Sequence, residues 1–410
     1  MEQLVESKVN EPTETWINKR CRELVFSVLD NIQFGCIDIV QGAATFSFPA
    51  NRINSDSITG TIVIHDTSTY RDFVRGGSIG AAEAFIDGKW TSPNLTHVIQ
   101  IFARAQQLTD ELEKNASWLG KLKNVIFHRF NRNSQQGSKR NILAHYDLGN
   151  ELYTRFLDPE MVYSAAIYPS EEASLAQAQK HKLDIICQRL SLHENDHLLE
   201  IGTGWGGLAV HAAMHYGCKV TTTTISDAQY AYVSDKIKAL GLEDRITLLK
   251  EDYRALTGEY DKLVSIEMIE AVGYDYLPSF FQQCHDRLKP GGKLLIQSIT
   301  IADQRFDYYR KNVDFIQRYI FPGGFLPSIS ELTNQLTKHT SLVMEELHDI
   351  GLHYAKTLAD WRKAFLNAWP ELSTLGYDEE FKRLWLYYFA YCEGAFLERS
   401  TSTVHLIARK

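Results

Sequence analysis

The chain lacks the marks of several protein classes. No run of about 18 apolar residues occurs, so nothing reads as a membrane-spanning helix. Cysteine is sparse and scattered, at Cys21, Cys36, Cys187, Cys218, Cys284 and Cys392, with no CxxC pair and no Cys/His grouping at metal spacing. That excludes a disulfide framework and a structural zinc site as organising features. An excess of positive charge is missing too. The formal net charge is -8, whereas a general nucleic-acid binder carries a basic footprint, so no nucleic acid is expected as a partner. There is no internal repeat. The opening stretch MEQLVESKVNEPTETW is acidic and polar, unlike a secretory signal peptide, and a reduced cytoplasmic compartment is the expectation.

What is present is an ordinary globular composition. The 410 residues are 44% hydrophobic and 23% charged, enough to bury a core and to fill two or three domains. Three parts follow one another. Residues 1–110 mix short alternating strands, FSFPA (46–50) and GTIVIHD (60–66), with a helical stretch that follows a turn in GGSIGAAEAFIDGKW (76–90). Residues 111–140 form a basic connector. It holds Lys114, Lys121, Lys123, Arg129, Arg132, Lys139 and Arg140, and no acid occurs from 114 to 140. Trp118, Leu122, Val125, Ile126, Phe127 and Phe130 are interleaved with them, which suits an amphipathic helix followed by a polar linker. From 141 to 410 strands and helices alternate. HLLEIGTG (197–204), KVTTTTI (219–225), RITLLKED (245–252), DKLVSIEM (261–268) and KLLIQSITI (293–301) read as strands, and TVHLIARK closes the chain as a last short one. Such alternation predicts an α/β fold with a mostly parallel sheet.

The strongest local signal is LLEIGTGWGGLAV (198–210). An apolar strand ends in Gly202-Thr203-Gly204-Trp205-Gly206-Gly207, and a helix then begins. Glycine there permits a sharp turn and close approach of a ligand, and the helix start offers free N–H groups. A dinucleotide phosphate loop is the competing reading. Glu200, two residues before the first glycine, disfavours it: a carboxylate repels a pyrophosphate but attracts the ammonium of S-adenosylmethionine. The second strand runs into Thr224-Ile225-Ser226-Asp227-Ala228-Gln229, where Thr224 and Gln229 offer neutral hydrogen bonds to a ribose. Ser226 or Asp227 serves equally as a helix N-cap. The third strand ends in Glu251-Asp252-Tyr253-Arg254. Asp252 is placed to accept from an adenine amino group and Tyr253 to cover the ring, with a plain surface turn as the alternative.

A set of blocks now occurs in one order: HYDLGN (145–150), LDPEMVYSAAIY (157–168), EIGTGWGG (200–207), TISDAQ (224–229), EDYR (251–254), SIEMIEAVG (265–273), LKPGGKLL (288–295), YIFPGGFLPS (319–328), HYAKTL (353–358) and AWPEL (368–372). On these blocks the chain resembles the family of cyclopropane-fatty-acyl-phospholipid synthases and mycolic acid cyclopropane synthases, strongly over about 140–410 and more weakly before. The resemblance implies a Rossmann-like class I methyltransferase domain at 141–410, behind a smaller N-terminal α+β domain that engages phospholipid and supports a homodimer. It implies that Tyr163 and Ser164 close over S-adenosylmethionine, acting with Gly202, Gly204, Thr224, Ile225, Gln229 and Tyr253. It also implies an acyl-chain tunnel beside the methyl, and a methyl transfer to a double-bond carbon of unsaturated phospholipid acyl chains.

Such a transfer leaves a carbocation on the neighbouring carbon. The site must therefore stabilise positive charge, exclude water and supply a base. Glu270 in SIEMIEAVG, Tyr354 in HYAKTL and the backbone of Ile299 match the family's catalytic positions. Two positions depart. Family members that form cyclopropanes hold bicarbonate as general base, with a cysteine in YSCA and a histidine in LLHT among its ligands. This chain reads YSAA and LIQS, so Ala165 and Gln297 stand there. The product is then either a cyclopropane or a methyl- or methylene-branched chain, and a conjugated diene is an alternative substrate. A small-molecule methyltransferase and a catalytically degenerate lipid-binding relative are the rival readings. The connector, with Trp118, Phe127 and Phe130, is expected to dock peripherally on the inner face of the membrane, unless it packs on a domain. The aromatic run FDYYRKNVDFIQRYIFPGGF (306–325), with Tyr308, Tyr309 and Phe315, reads either as tunnel lining or as core.

Overall fold

The computed structural model describes residues 15–50, 58–105 and 150–410. The basic connector and residues 145–149 of HYDLGN lie outside the described residues. The described residues divide into two compact units. One holds 15–105 together with Glu379–Tyr387, and the other holds 150–378 and 388–410.

The first unit begins with α1 (Trp16–Leu29), whose N-cap Thr15 accepts from the Asn18 N–H. It continues through β1 (Cys36–Gln41), β2 (Ala44–Phe48), β3 (Thr59–Ile64), α2 (Thr69–Ile86), β4 (Trp90–Thr91) and α3 (Leu95–Arg104). The sheet order is β2-β1-β3-β4. Burial along β3 alternates residue by residue, the period of a strand with one face on a core. The turn expected in GGSIG falls at Gly77, at φ 56 and ψ -138, but it interrupts a helix that already starts at Thr69.

The second unit comprises α4 (Asn150–Phe156), α5 (Leu175–Arg189), β5 (His197–Ile201), α6 (Gly207–His211), β6 (Lys219–Thr223), α7 (Asp227–Leu240), β7 (Ile246–Leu249), β8 (Tyr260–Ile266), α8 (Leu277–Arg287), β9 (Leu288–Ile301), α9 (Asp303–Lys311), α10 (Phe315–Tyr319), α11 (Ile329–His339), β10 (Val343–Asp349), α12 (Gly351–Leu372), α13 (Glu379–Leu397), whose first part counts with the other unit, and β11 (Thr401–Arg409). Its sheet order is β10-β11-β9-β8-β5-β6-β7. The run from β9 to β7 is parallel, β11 is antiparallel to β9, and β10 is antiparallel to β11.

The sequence accounts for this arrangement. Central strands buried on both faces need apolar residues of both parities. Leu199, Leu263 and Leu294 pack in one cluster with Phe280 and Leu332, while Leu198, Val264 and Leu295 pack in another with Ile186 and Val220. From β5 the chain proceeds outward to β6 and β7, and then returns to place β8 on the other side of β5. Ligands bind in the crevice that such a reversal opens at the carboxyl ends of the strands. β10 escapes a reading by pattern because VMEELHD is exposed along almost its whole length. It is a charged edge strand, held by its ladder to β11.

Candidate active site

Strand β5 delivers Glu200 and then the glycine turn. Gly202 sits at φ +101, where a side chain is strained, and a Cβ there would meet Met268 at 3.2 Å. Its amide donates to the Thr223 carbonyl at 3.2 Å. Gly204 is also left-handed, at φ +55, and faces open space. The Glu200 carboxyl is buried, accepts from the Thr222 hydroxyl at 2.6 Å, and is pushed by burial up to about 8. Beyond β6, the Thr224 hydroxyl donates to Gln229 Oε1 at 2.8 Å, and Ser226 caps α7 by accepting from the Gln229 N–H at 3.3 Å. Ile225 lies half-buried between them. Asp252 is already engaged: burial raises its pKa, but the side chain and backbone of Arg254 outweigh that and hold it below the usual range. Arg254 Nε and Nη2 reach its two oxygens at 2.8 and 2.7 Å. Tyr253 is half-buried, edge-on to Phe280 at 5.5 Å.

The segment between α4 and α5 lies against this crevice. Asp158 gathers it by accepting from the Glu160 and Val162 amides at 3.0 and 2.8 Å. The Ser164 hydroxyl accepts from Lys182 Nζ at 2.6 Å, and Gln179 Nε2 donates to the Ser164 carbonyl at 2.9 Å. Lys182 is fully buried on the α5 face shared with Ala178 and Ile186. Burial lowers its ammonium to about 8, against the pull of Glu267, Asp158 and Glu200. The Tyr163 hydroxyl lies 3.1 Å from that of Tyr388, and its ring centroid is 5.1 Å from that of Trp361.

Two carboxyl groups follow β8. Glu267 has a left-handed backbone, φ 48, which a non-glycine residue adopts rarely. Its Oε1 accepts from the Ala165 N–H at 2.9 Å and from Gln297 Nε2 at 2.7 Å. Its Oε2 accepts from the Tyr354 hydroxyl at 2.9 Å. Burial raises its pKa, and these donors together with Lys182 oppose the rise. Glu270 Oε1 accepts from the Ile299 N–H at 2.5 Å, whereas its Oε2 is buried with no hydrogen-bond partner among the described residues. Burial, and then the neighbouring Glu267, push Glu270 up to about 8. The ring of Tyr354 stacks on Phe396 at 4.6 Å and meets Trp361 edge-on at 6.0 Å.

The structure therefore brings Glu270, Ile299, Gln297, Tyr354 and Ala165 around one point, and Glu267 occupies it. Glu267 and Lys182 were not foreseen. The first acid of SIEMIEAVG, just past the end of a buried strand, was the signal for one; a lysine on the apolar face of α5 was the signal for the other. In the aromatic run, Tyr308 is exposed, Tyr309 packs on Phe325, Phe315 is buried against Tyr319 and Tyr391, and the Phe325 N–H donates to the Glu270 carbonyl at 2.9 Å. The site does not fit bicarbonate. The donors that would hold that anion, the Ala165 N–H, the Gln297 amide and the Tyr354 hydroxyl, already serve the Glu267 carboxylate, and a further anion would lie against two carboxyl groups.

Residues 133–406 match the family model described as mycolic acid cyclopropane synthetase. The chain belongs to this family. It is 37% identical over 330 residues to the tuberculostearic acid methyltransferase of Mycobacterium tuberculosis, covering 78% of this chain and 76% of that protein. It is 35% identical over 344 residues to the cyclopropane-fatty-acyl-phospholipid synthase of Escherichia coli K12, covering 84% and 86%. Among solved structures, the cyclopropane synthase MmaA2 from Mycobacterium tuberculosis superposes with a TM-score of 0.62 at 28% identity, over 66% of this chain and 98% of that one. The mycolic acid cyclopropane synthase CmaA1, solved with SAH, gives 0.62 at 27% identity, over 66% and 98%. As a member of the mycolic acid cyclopropane synthetase family, the chain is an S-adenosylmethionine-dependent enzyme of the class I methyltransferase fold, and its relatives include cyclopropane synthases and lipid methyltransferases.

Proposed function

We propose that this enzyme methylates a double-bond carbon of an unsaturated phospholipid acyl chain and releases a methyl- or methylene-branched chain. The observation that carries this reading is the remodelled base site. Ala165 and Gln297 stand where ring-forming members place bicarbonate ligands, and the Glu267 carboxylate takes the donors. The likeness to a tuberculostearic acid methyltransferase, and to a probable fatty acid methyltransferase of Pseudomonas putida at 37% identity over 270 residues, supports it. Cyclopropane formation is the second reading, favoured by the match to the Escherichia coli synthase.

The residues present suit S-adenosylmethionine, which supplies a methyl group on a sulfonium. Glu200, buried on the strand that runs into the glycine turn, would receive the ammonium end; Thr224 and Gln229 would hold the ribose, and Tyr253 the adenine. Tyr163 and Ser164 would close the site, with Lys182 fixing the Ser164 hydroxyl. Positive charge developing on the acyl chain would lie among the faces of Tyr163, Tyr354 and Trp361, which favour a cation electrostatically. Their packing also excludes the water that would quench it. The test is to incubate the purified protein with S-adenosylmethionine and vesicles of monounsaturated phospholipid, and to analyse the lipids by mass spectrometry and proton NMR. A gain of one CH₂ unit with branch signals is the expected result. Ring signals would replace the first reading by the second, and no gain on monoenes or dienes would overturn both.

A further inference from the structure

We propose that Glu267 is the base of this reaction, an anion built into the chain at the place where ring-forming members of the family recruit bicarbonate; this rests on the functional reading above. Three elements converge on its carboxylate: the segment before α5 through the Ala165 N–H, β9 through Gln297, and α12 through Tyr354. The donors have a fixed sense. Arg189 can only donate, so His405 Nδ1 accepts from it, and His405 Nε2–H then donates to Gln297 Oε1 at 2.8 Å. That orients the Gln297 NH₂ onto Glu267. A glutamine is the residue for this task, because it accepts at one end and donates at the other.

The backbone points the same way. Glu267 keeps a left-handed φ although it is not glycine, and such strain persists where the surroundings impose it, often at functional sites. Glu270 completes a pair of carboxyl groups. Two close carboxyl groups do not ionise together, and the proton goes to the one with fewer donors. Glu267 accepts three hydrogen bonds, whereas Glu270 accepts from the Ile299 N–H at Oε1 and its Oε2 has no hydrogen-bond partner among the described residues. The ionised member is Glu267.

The step balances without an added reagent. The alkene π pair forms the bond to the methyl carbon, the carbon–sulfur pair leaves with sulfur, and the neighbouring carbon becomes cationic. A hydride shift carries the charge to the methyl-bearing carbon. Glu267 then takes a proton from the new methyl, and the released C–H pair becomes the methylene double bond. The proton rests on Glu267 as a carboxylic acid and passes to solvent when product departs.

The decisive experiment compares the full-length wild type with Glu267→Gln and Glu267→Gly on unsaturated phospholipid vesicles, in CO₂-free buffer with and without added bicarbonate or formate. Wild-type turnover is expected to be indifferent to bicarbonate. Glu267→Gln should lose about 100-fold or more in kcat, the range removed with a general base, while its affinity for S-adenosylhomocysteine by calorimetry changes less than about threefold. Its residual product should contain alcohol from water capture of the cation, a signature that a purely structural role would not produce. Glu267→Gly should recover turnover on addition of formate or bicarbonate, and should broaden the ¹³C NMR line of labelled bicarbonate where the wild type does not. Wild-type turnover that requires bicarbonate, or a Glu267→Gln enzyme as fast as the wild type, overturns the assignment. A wild type that methylates no unsaturated lipid overturns the functional reading itself.

Discussion

A carboxyl group buried at the end of a strand must have its proton placed. Glu200 is pushed from 4.5 to about 8 by burial, so at pH 7 it is mostly protonated before cofactor arrives. A group raised in this way contributes stability fully below its unfolded value, and that contribution is lost as pH rises through the folded value. The cofactor-free protein should therefore lose stability between about pH 4.5 and 8, and Glu200→Gln should flatten that slope in thermal melts. Arrival of the cofactor's ammonium favours the ionised form, so binding at pH 7 should release a proton. Calorimetry in buffers of different ionisation enthalpy measures it, and an absent release, or a release unchanged in Glu200→Gln, sinks the assignment. Gly202→Ala is the companion test. Its positive φ and the 3.2 Å approach of Met268 predict roughly tenfold weaker cofactor binding, since a left-handed non-glycine residue costs about 1–2 kcal/mol. At this scale the sequence was partly legible. The glycine turn and Glu200 stood in a motif whose chemistry limits the residue types, and Glu270 was pointed to by the family resemblance. Glu267 was not, because two acids three apart in SIEMIEAVG look alike until the turn after β8 aims one at Ala165, Gln297 and Tyr354.

The crevice that we propose holds the cofactor depends on two elements meeting, α5 and the segment from Asp158 to Tyr168. Lys182 ties them through Ser164, and its ammonium lies in the field of Glu267, Asp158 and Glu200. Lys182→Met keeps the apolar stem and removes both tie and charge. The expected outcome is a KM for S-adenosylmethionine raised about tenfold, as the proposed closure of this segment over the cofactor requires, together with a lower kcat at neutral pH, because the ammonium also opposes the rise of the Glu267 pKa. Stability should fall by about 1–3 kcal/mol, the usual cost of leaving a buried polar partner unmatched. Equal KM values in steady-state kinetics would show that Lys182 serves packing alone. Elements with a strong pattern were legible: the central strands β5, β8 and β9 carry apolar runs, and α7 announces itself through Ser226. β10 was not, since a charged edge strand satisfies its pairing through backbone groups and leaves no apolar alternation to read.

At the scale of the whole molecule, charge sets a problem for an enzyme that we propose acts on acyl chains within a bilayer. A net charge of -8 repels an anionic surface, and no helix among the described residues is long and apolar enough to cross a membrane. Contact must then come from a local exception. The stretch from 114 to 140 is one, with seven Lys and Arg residues, no acid, and aromatic residues among them. Each basic residue near an anionic surface contributes about 1 kcal/mol, and Trp118, Phe127 and Phe130 would add shallow insertion. Reversing Lys121, Lys123 and Arg129 to Glu should therefore remove at least about 3 kcal/mol, or more than 100-fold in partitioning onto phosphatidylglycerol-containing vesicles. Wild-type binding should also weaken steeply with salt, because the attraction is screened within a Debye length. Co-sedimentation measures both. Turnover on a soluble short-chain lipid should be unaffected by the triple variant, which separates docking from chemistry. If the variant sediments with vesicles as the wild type does, the connector is not the docking segment.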